Sequence, residues 1–157
     1  MTRGYGRALR SERCICKVPH GHWHTNTFIA ALRLRGLCAP WLLDGPMNGE
    51  AFLVYARQVL GPELHPDDLV VCDNLSCHRS AGVREAIEST GAQLLYLPPY
   101  SPDLNPIEMA FSKLKALLRK DVAREFNALA HAVAKALKAF SAEECRNLIR
   151  HANYVSN

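Results

Sequence analysis

The sequence has no apolar run long enough to cross a membrane, and the residues from Met1 show no signal-peptide pattern. It has no internal repeat and no low-complexity segment. The six cysteines follow no framework spacing, so they are expected to be reduced thiols in a cytoplasm rather than a disulfide scaffold. There is no Walker-type glycine loop and no nucleophile elbow, which argues against P-loop nucleotide hydrolysis and serine esterase chemistry. Acid is scarce at the front of the chain. Residues 1–40 hold seven Lys or Arg and a single acid, Glu12.

What is present is one domain's length of chain, 157 residues, with 48% apolar residues, enough to build a core. The net charge is +4, unevenly spread. Residues 41–110 hold three basic and ten acidic residues, and residues 111–157 hold nine basic and four acidic. An acidic centre between basic flanks suits a metal site within a DNA-binding surface, although surface charge is often uneven without a function.

In chain order, residues 1–13, with Arg3, Arg7, Arg10 and Arg13, read as a loop or arm that either touches phosphates or is simply solvated. Strands are expected at Cys14–Pro19, Thr25–Leu34 and Ala39–Leu43, and their short links suggest an antiparallel meander. Asn48 is placed to cap a helix over Glu50–Leu60, with Phe52, Tyr55, Ala56 and Val59 inward and Gly61-Pro62 at its end. After Lys120 two more helices are expected beside the sheet. One covers about Glu125–Phe140, and the other follows Ser141, whose spacing to Glu144 fits a capping box. Cys14, Cys16, His20, His22 and His24 invite a zinc reading, as in an interaction module, but without a C-x-x-C pair the spacing matches no recognised finger.

The chain is organised around residues 69–108. Leu69–Cys72 is too short for a helix and suits a buried strand, which delivers Asp73 at its carboxyl end. Arg79–Thr90 reads as a helix stopped by Gly91, and Gln93–Leu97 as a second buried-type strand, so the two strands should be parallel. The proline-rich loop Pro98–Leu104 leads to Asn105 as cap and Pro106 as first helical residue, with Ile107, Ala110, Phe111, Leu114, Leu117 and Leu118 buried. Glu108 projects from the first turn on another face. Two carboxylates from separate elements can hold hard cations such as Mg²⁺ and support phosphodiester cleavage. Plainer roles stay open: Asn105 and Glu108 also fit a capping box, and Asp73 with Asn74 fits a turn.

The stretch VCDNLSCH followed by LPPYSPDLNPIEMAFSKLK resembles the catalytic domain of DDE transposases of the Tc/mariner-like insertion-sequence group. The likeness runs from about Met1 to Lys120 and weakens toward the C-terminus. It implies an α/β fold, a ribonuclease-H-like mixed sheet flanked by helices, in a single domain over 1–157 with C-terminal helices from about 122. It implies that Asp73 and Glu108 are the second and third of three catalytic, metal-holding acids, with Mg²⁺ or Mn²⁺ as cofactor. Asn74, His78 and Asn105 would support them, and Lys113 and Lys115 could join the N-terminal arginines on DNA. The family's first acid lies on a first, central strand that has no counterpart here, and the family's helix-turn-helix region has none either. The expectation is therefore a transposase fragment, inactive alone. Its partners would be transposon and target DNA, with a second copy or a complementing N-terminal half, in a bacterial cytoplasm at the nucleoid. The alternative is a non-catalytic DNA-binding or interfering partner of an intact transposase.

Overall fold

The computed structural model describes residues 7–15, 25–121 and 125–154. Arg3, Cys16, His20, His22 and His24 lie outside these residues, as does most of the strand expected at Cys14–Pro19. Cys14 and Ile15 are exposed and in no regular element.

Strands β1 (Asn26–Arg33) and β2 (Gly36–Asp44) form an antiparallel hairpin, two members of the expected meander. Ile29 faces Trp41 but Ala31 faces Cys38, so β2 carries extra backbone there. Ala39 takes φ +48, and Pro40, which has no N–H to give a ladder, sits at the bulge. The buried hydroxyl of Tyr55 donates to the Ala39 carbonyl at 3.0 Å. Burial raises the pKa of that hydroxyl, so it remains a donor.

Helix α1 (Gly49–Tyr55) begins as expected, with the Asn48 side chain accepting from the Ala51 N–H at 2.8 Å. The single helix expected to Leu60 instead passes into a π-helical turn, Ala56–Leu60, and a 3₁₀ turn, Gly61–Glu63. The wider turn keeps Tyr55, Ala56 and Leu60 all buried against the sheet.

Alternation along β1 divides its side chains between two cores. Ile29 and Ala31 join Ala39 and Trp41 over α1 and α2 (Val83–Glu88), where Phe52, Val83 and Ile87 are buried. Phe28 and Leu32 join Leu37 over α3 (Pro106–Asp121), α4 (Phe126–Leu137) and α5 (Ala142–His151). The hairpin is thus covered on both faces.

Strands β3 (Leu69–Cys72) and β4 (Gln93–Tyr96) pair in parallel from Leu69–Gln93 to Cys72–Tyr96, as the helix between them predicts. The burial differs from expectation. Val70, Cys72, Leu94 and Tyr96 face the first core, whereas Leu69 and Leu95 on the other face are 55% and 46% exposed. Among the described residues, helices cover only one face of this pair. The antiparallel and parallel ladders are two small sheets here, joined through the first core and a staple of charge. Arg33 on β1 grips Asp68 just before β3 with two bonds, at 3.1 and 2.5 Å, and the Glu63 carbonyl at 2.8 Å. Together with the His65 N–H, that grip lowers the Asp68 pKa to about 2.

The C-terminal helices lock onto α3. The Ser141 Oγ accepts from the Glu144 N–H at 3.2 Å, one half of the expected capping box. The other half is not made, because the Glu144 carboxylate takes the Lys113 ammonium at 2.5 Å. Among the described residues no helix is long and apolar enough to cross a membrane.

Candidate metal site

Asp73 follows the last residue of β3, where a strand end meets a turn instead of a helix. Its Oδ1 accepts from the Leu75 N–H at 3.2 Å, so the plain turn role is real. The same oxygen lies 2.6 Å from His78 Nδ1. That nitrogen is buried and has no well-aligned hydrogen-bond partner, so the contact is one of proximity, not of a directed N–H···O bond. No hydrogen bond reaches Asp73 Oδ2 among the described residues. His78 is itself fixed: its ring lies 4.2 Å from that of Phe52, its N–H donates to the Leu75 carbonyl at 3.0 Å, and its carbonyl accepts from Tyr96 Oη at 2.8 Å. The helix, the turn and β4 therefore all brace the neighbour of Asp73. Burial and the nearby Asp73 charge push the Cys72 thiol up to about 12, so it is not a thiolate nucleophile at neutral pH.

Parallel pairing puts the carboxyl end of β4 beside that of β3, and the Leu97 N–H donates to the Cys72 carbonyl at 2.8 Å. From this rim the proline-rich loop runs through Tyr100, exposed at φ +57, and a 3₁₀ turn, Pro102–Leu104, to α3. The Asn105 side chain makes no hydrogen bond among the described residues. Its carbonyl accepts from the Glu108 N–H at 3.2 Å, so the expected side-chain cap and the capping box with Glu108 are not formed. Glu108 is in the first turn, exposed, with no hydrogen bond or ion pair among the described residues.

The structure thus brings Asp73 and His78 into contact and leaves Glu108 unengaged. Two carboxylates with oxygens free of hydrogen bonds are hard donors suited to a divalent cation that keeps waters or phosphate oxygens as its other ligands. Among the described residues, no three His, Cys, Asp or Glu side chains gather as a metal cluster. The donors present are thus single carboxylates and not a closed protein cage.

Of the candidate DNA contacts, Arg7, Arg10, Arg13 and Lys115 are exposed. Lys113 is engaged within the chain. Besides Glu144, it donates to the Ala139 carbonyl at 2.9 Å and lies 4.6 Å from the centre of the Phe140 ring. Two further cations, Arg79 and Arg84, unmarked in the sequence, line a cleft that Asn74 also borders. Arg79, expected to open a helix, precedes one that starts at Val83, after Gly82 in the left-handed region at φ +82. It lies in the turn instead and donates to Asn74 Oδ1 at 3.2 Å. Arg84 reaches Glu88 at 2.7 Å and the Leu94 carbonyl at 3.1 Å. The run Ser80-Ala81-Gly82 was the available signal for a later helix start.

A family model described as DDE superfamily endonuclease matches residues 1–130. Among solved structures, the catalytic domain of Mos1 mariner transposase matches with a TM-score of 0.66 at 16% identity, covering 82% of this chain and 74% of that one. The Mos1 mariner paired-end complex with Mn matches at 0.73 and 14% identity, covering 97% of this chain and 48% of that one. The Mos1 strand transfer complex matches at 0.75 and 15% identity, with 97% and 47% covered. This chain spans about half the length of the transposase chains in those complexes. No curated protein matches it. The architecture is that of a ribonuclease-H-like transposase catalytic domain, as the motif stretch implied.

Proposed function

Because the chain belongs to the DDE superfamily of endonucleases, we propose that it serves metal-dependent cleavage and strand transfer of transposon DNA, with Asp73 and Glu108 as two of the acids. The observation that carries this is Asp73 at the carboxyl end of a parallel strand pair, braced through Leu75 and His78. The Mos1 complexes with Mn and with the left transposon end support a divalent cation and DNA as partners. Mg²⁺ or Mn²⁺ held by Asp73 and Glu108 would supply activation of an attacking oxygen and charge stabilisation of the leaving one.

The chain's own residues have simpler tasks. His78 stands against one Asp73 oxygen, Oδ1, which leaves Oδ2 for a ligand. Asn74 accepts from Arg79, and the Asn105 carbonyl closes the first turn that carries Glu108. Among the described residues no three His, Cys, Asp or Glu side chains gather to hold a metal. The reading therefore includes inactivity in DNA cleavage for this chain alone, and activity when a second polypeptide supplies a further carboxylate. The same observation favours a second reading, a non-catalytic DNA-binding partner of an intact transposase.

Purified protein incubated with Mn²⁺ and DNA bearing transposon ends tests the proposal. No nicking is expected from the chain alone, and nicking should appear when a complementing N-terminal half is added. Robust nicking by the chain alone, abolished in Asp73→Ala, would overturn the inactivity. DNA binding with no nicking under either condition would favour the second reading.

A further inference from the structure

Residues 41–110 hold only three basic side chains, Arg57, Arg79 and Arg84. Arg79 and Arg84 flank one turn in an acidic stretch, and the fold brings the distant Arg57 to the same turn. Arg57 Nη2 lies 3.5 Å from where a Cβ on Gly82 would stand, and Arg79 and Arg84 line the cleft on which that turn opens. The cleft has a volume of about 630 Å³. Asn74, Ser80, Tyr96 and Pro98 complete the part of its wall that matters here, and no Asp or Glu lines it.

The hydrogen bonding of these groups gives the cleft a sign. Arg84 spends one nitrogen, Nη1, on Glu88 and the Leu94 carbonyl, and its guanidinium stands 5.4 Å from the centre of the Tyr96 ring. Its Nη2 and Nε are left to donate from a fixed position. Arg79 likewise spends only Nη1, on Asn74 Oδ1. That bond uses the amide's acceptor and leaves the Asn74 NH₂ to donate. The Tyr96 hydroxyl is committed to the His78 carbonyl. The two guanidinium groups and the Asn74 NH₂ therefore offer donors only, and the Ser80 hydroxyl can donate or accept, in a cleft that begins one residue from Asp73.

We infer that this cleft is a phosphate-binding groove that seats the DNA backbone next to the scissile linkage, with Arg79 and Arg84 each taking a phosphodiester. Planar guanidinium forks match phosphate oxygens, and a held fork loses less freedom on binding than a loose one. The inference rests on the transposase reading for its substrate, but the groove is testable without any metal. Both free phosphate and a nucleic acid backbone offer this chemistry, and the groove is assigned to the backbone because two arginines along an open cleft suit successive phosphates.

The test is fluorescence anisotropy with a labelled duplex oligonucleotide, without metal, across a salt series. Arg79→Ala and Arg84→Gln should each weaken binding several-fold and make the slope of log K against log salt shallower by about one. Arg146→Ala on α5 serves as the control and should leave the slope unchanged. Circular dichroism on Arg84→Gln checks the fold, and Arg79 is exposed and in no helix, so its variant carries the test if Arg84→Gln unfolds. Inorganic phosphate should compete only at concentrations where it acts as general salt. Saturable phosphate binding lost in Arg79→Ala, with duplex binding unchanged, would overturn the backbone assignment. Parental affinity and slope in both arginine variants would overturn the groove. Mn²⁺ binding in the same variants separates the two ideas. Lost DNA affinity with no Mn²⁺ bound by the parent sinks the metal reading alone, and retained DNA affinity with Mn²⁺ bound sinks the groove alone.

Discussion

Asp73 and Glu108 reach their places by opposite means. Asp73 stands 34% exposed, with one oxygen turned toward a backbone N–H and a histidine that is itself only 16% exposed. Glu108 projects from a first helical turn with nothing to hold it among the described residues. One carboxylate is fixed before any ligand arrives, and the other keeps its rotamer freedom. The difference teaches where the cost of binding falls. A cation would find Asp73 already oriented and would have to order Glu108, at roughly 1 kcal/mol for one long side chain. It also means that substitution at Asp73 should report on stability as well as ligand affinity, and substitution at Glu108 on ligand affinity alone.

The largest expected effect comes from breaking the braced side from beneath. Ile87 is fully buried under the β3–β4 pair, and Ile87→Ala should cost about 2–5 kcal/mol in denaturant unfolding. Less than 0.5 kcal/mol would mean that the first core does not hold that rim. Lys113→Ala comes next. It removes a partly exposed ion pair and a carbonyl contact between α3 and the C-terminal helices, so a loss of about 1 kcal/mol is expected with DNA affinity unchanged. A marked loss of DNA affinity in a folded variant would restore Lys113 to the DNA surface. A smaller, pH-dependent effect belongs to Asp68. Its pKa is depressed to about 2, below the ordinary 3.8, so its pairing with Arg33 stabilises the fold fully above about pH 4. That contribution is lost as the pH falls from about 4 through 2. Asp68→Asn should flatten the acid limb of the stability profile, and an unchanged limb would show that the staple is slack. Smallest of all is Glu108→Gln, expected to shift stability by under about 0.5 kcal/mol, since nothing in the fold rests on that side chain.

Local chemistry was legible in the sequence where local chemistry decides. Leu69–Cys72 and Gln93–Tyr96 could be placed by length and composition, their parallel pairing by the helix between them, and the Asn48 cap by its side chain. Gly91 stops α2 region backbone at φ +89, a turn that favours glycine. What escaped was set by partners distant in the chain. Lys113 meets Glu144 only after two further helices have folded back, and Arg33 meets Asp68 only when β1 packs beside β3. The stretch from Arg79 reads as helix in the sequence, whereas Gly82, at positive φ, starts the helix later and leaves Arg79 in a turn, donating to Asn74. The exposed face of Leu69 and Leu95 was hidden for a similar reason: composition signals a strand, but only the packing of other elements says which of its faces is covered.

The central claim is that Asp73 and Glu108 share one divalent cation. Isothermal titration of Mn²⁺ into the intact chain, into Asp73→Asn and into Glu108→Gln tests it directly, with circular dichroism to confirm that each variant is folded. Saturable binding by the parent, lost or weakened at least tenfold in both variants, is the predicted result. Equal Mn²⁺ affinity in the parent and in either folded variant would contradict it.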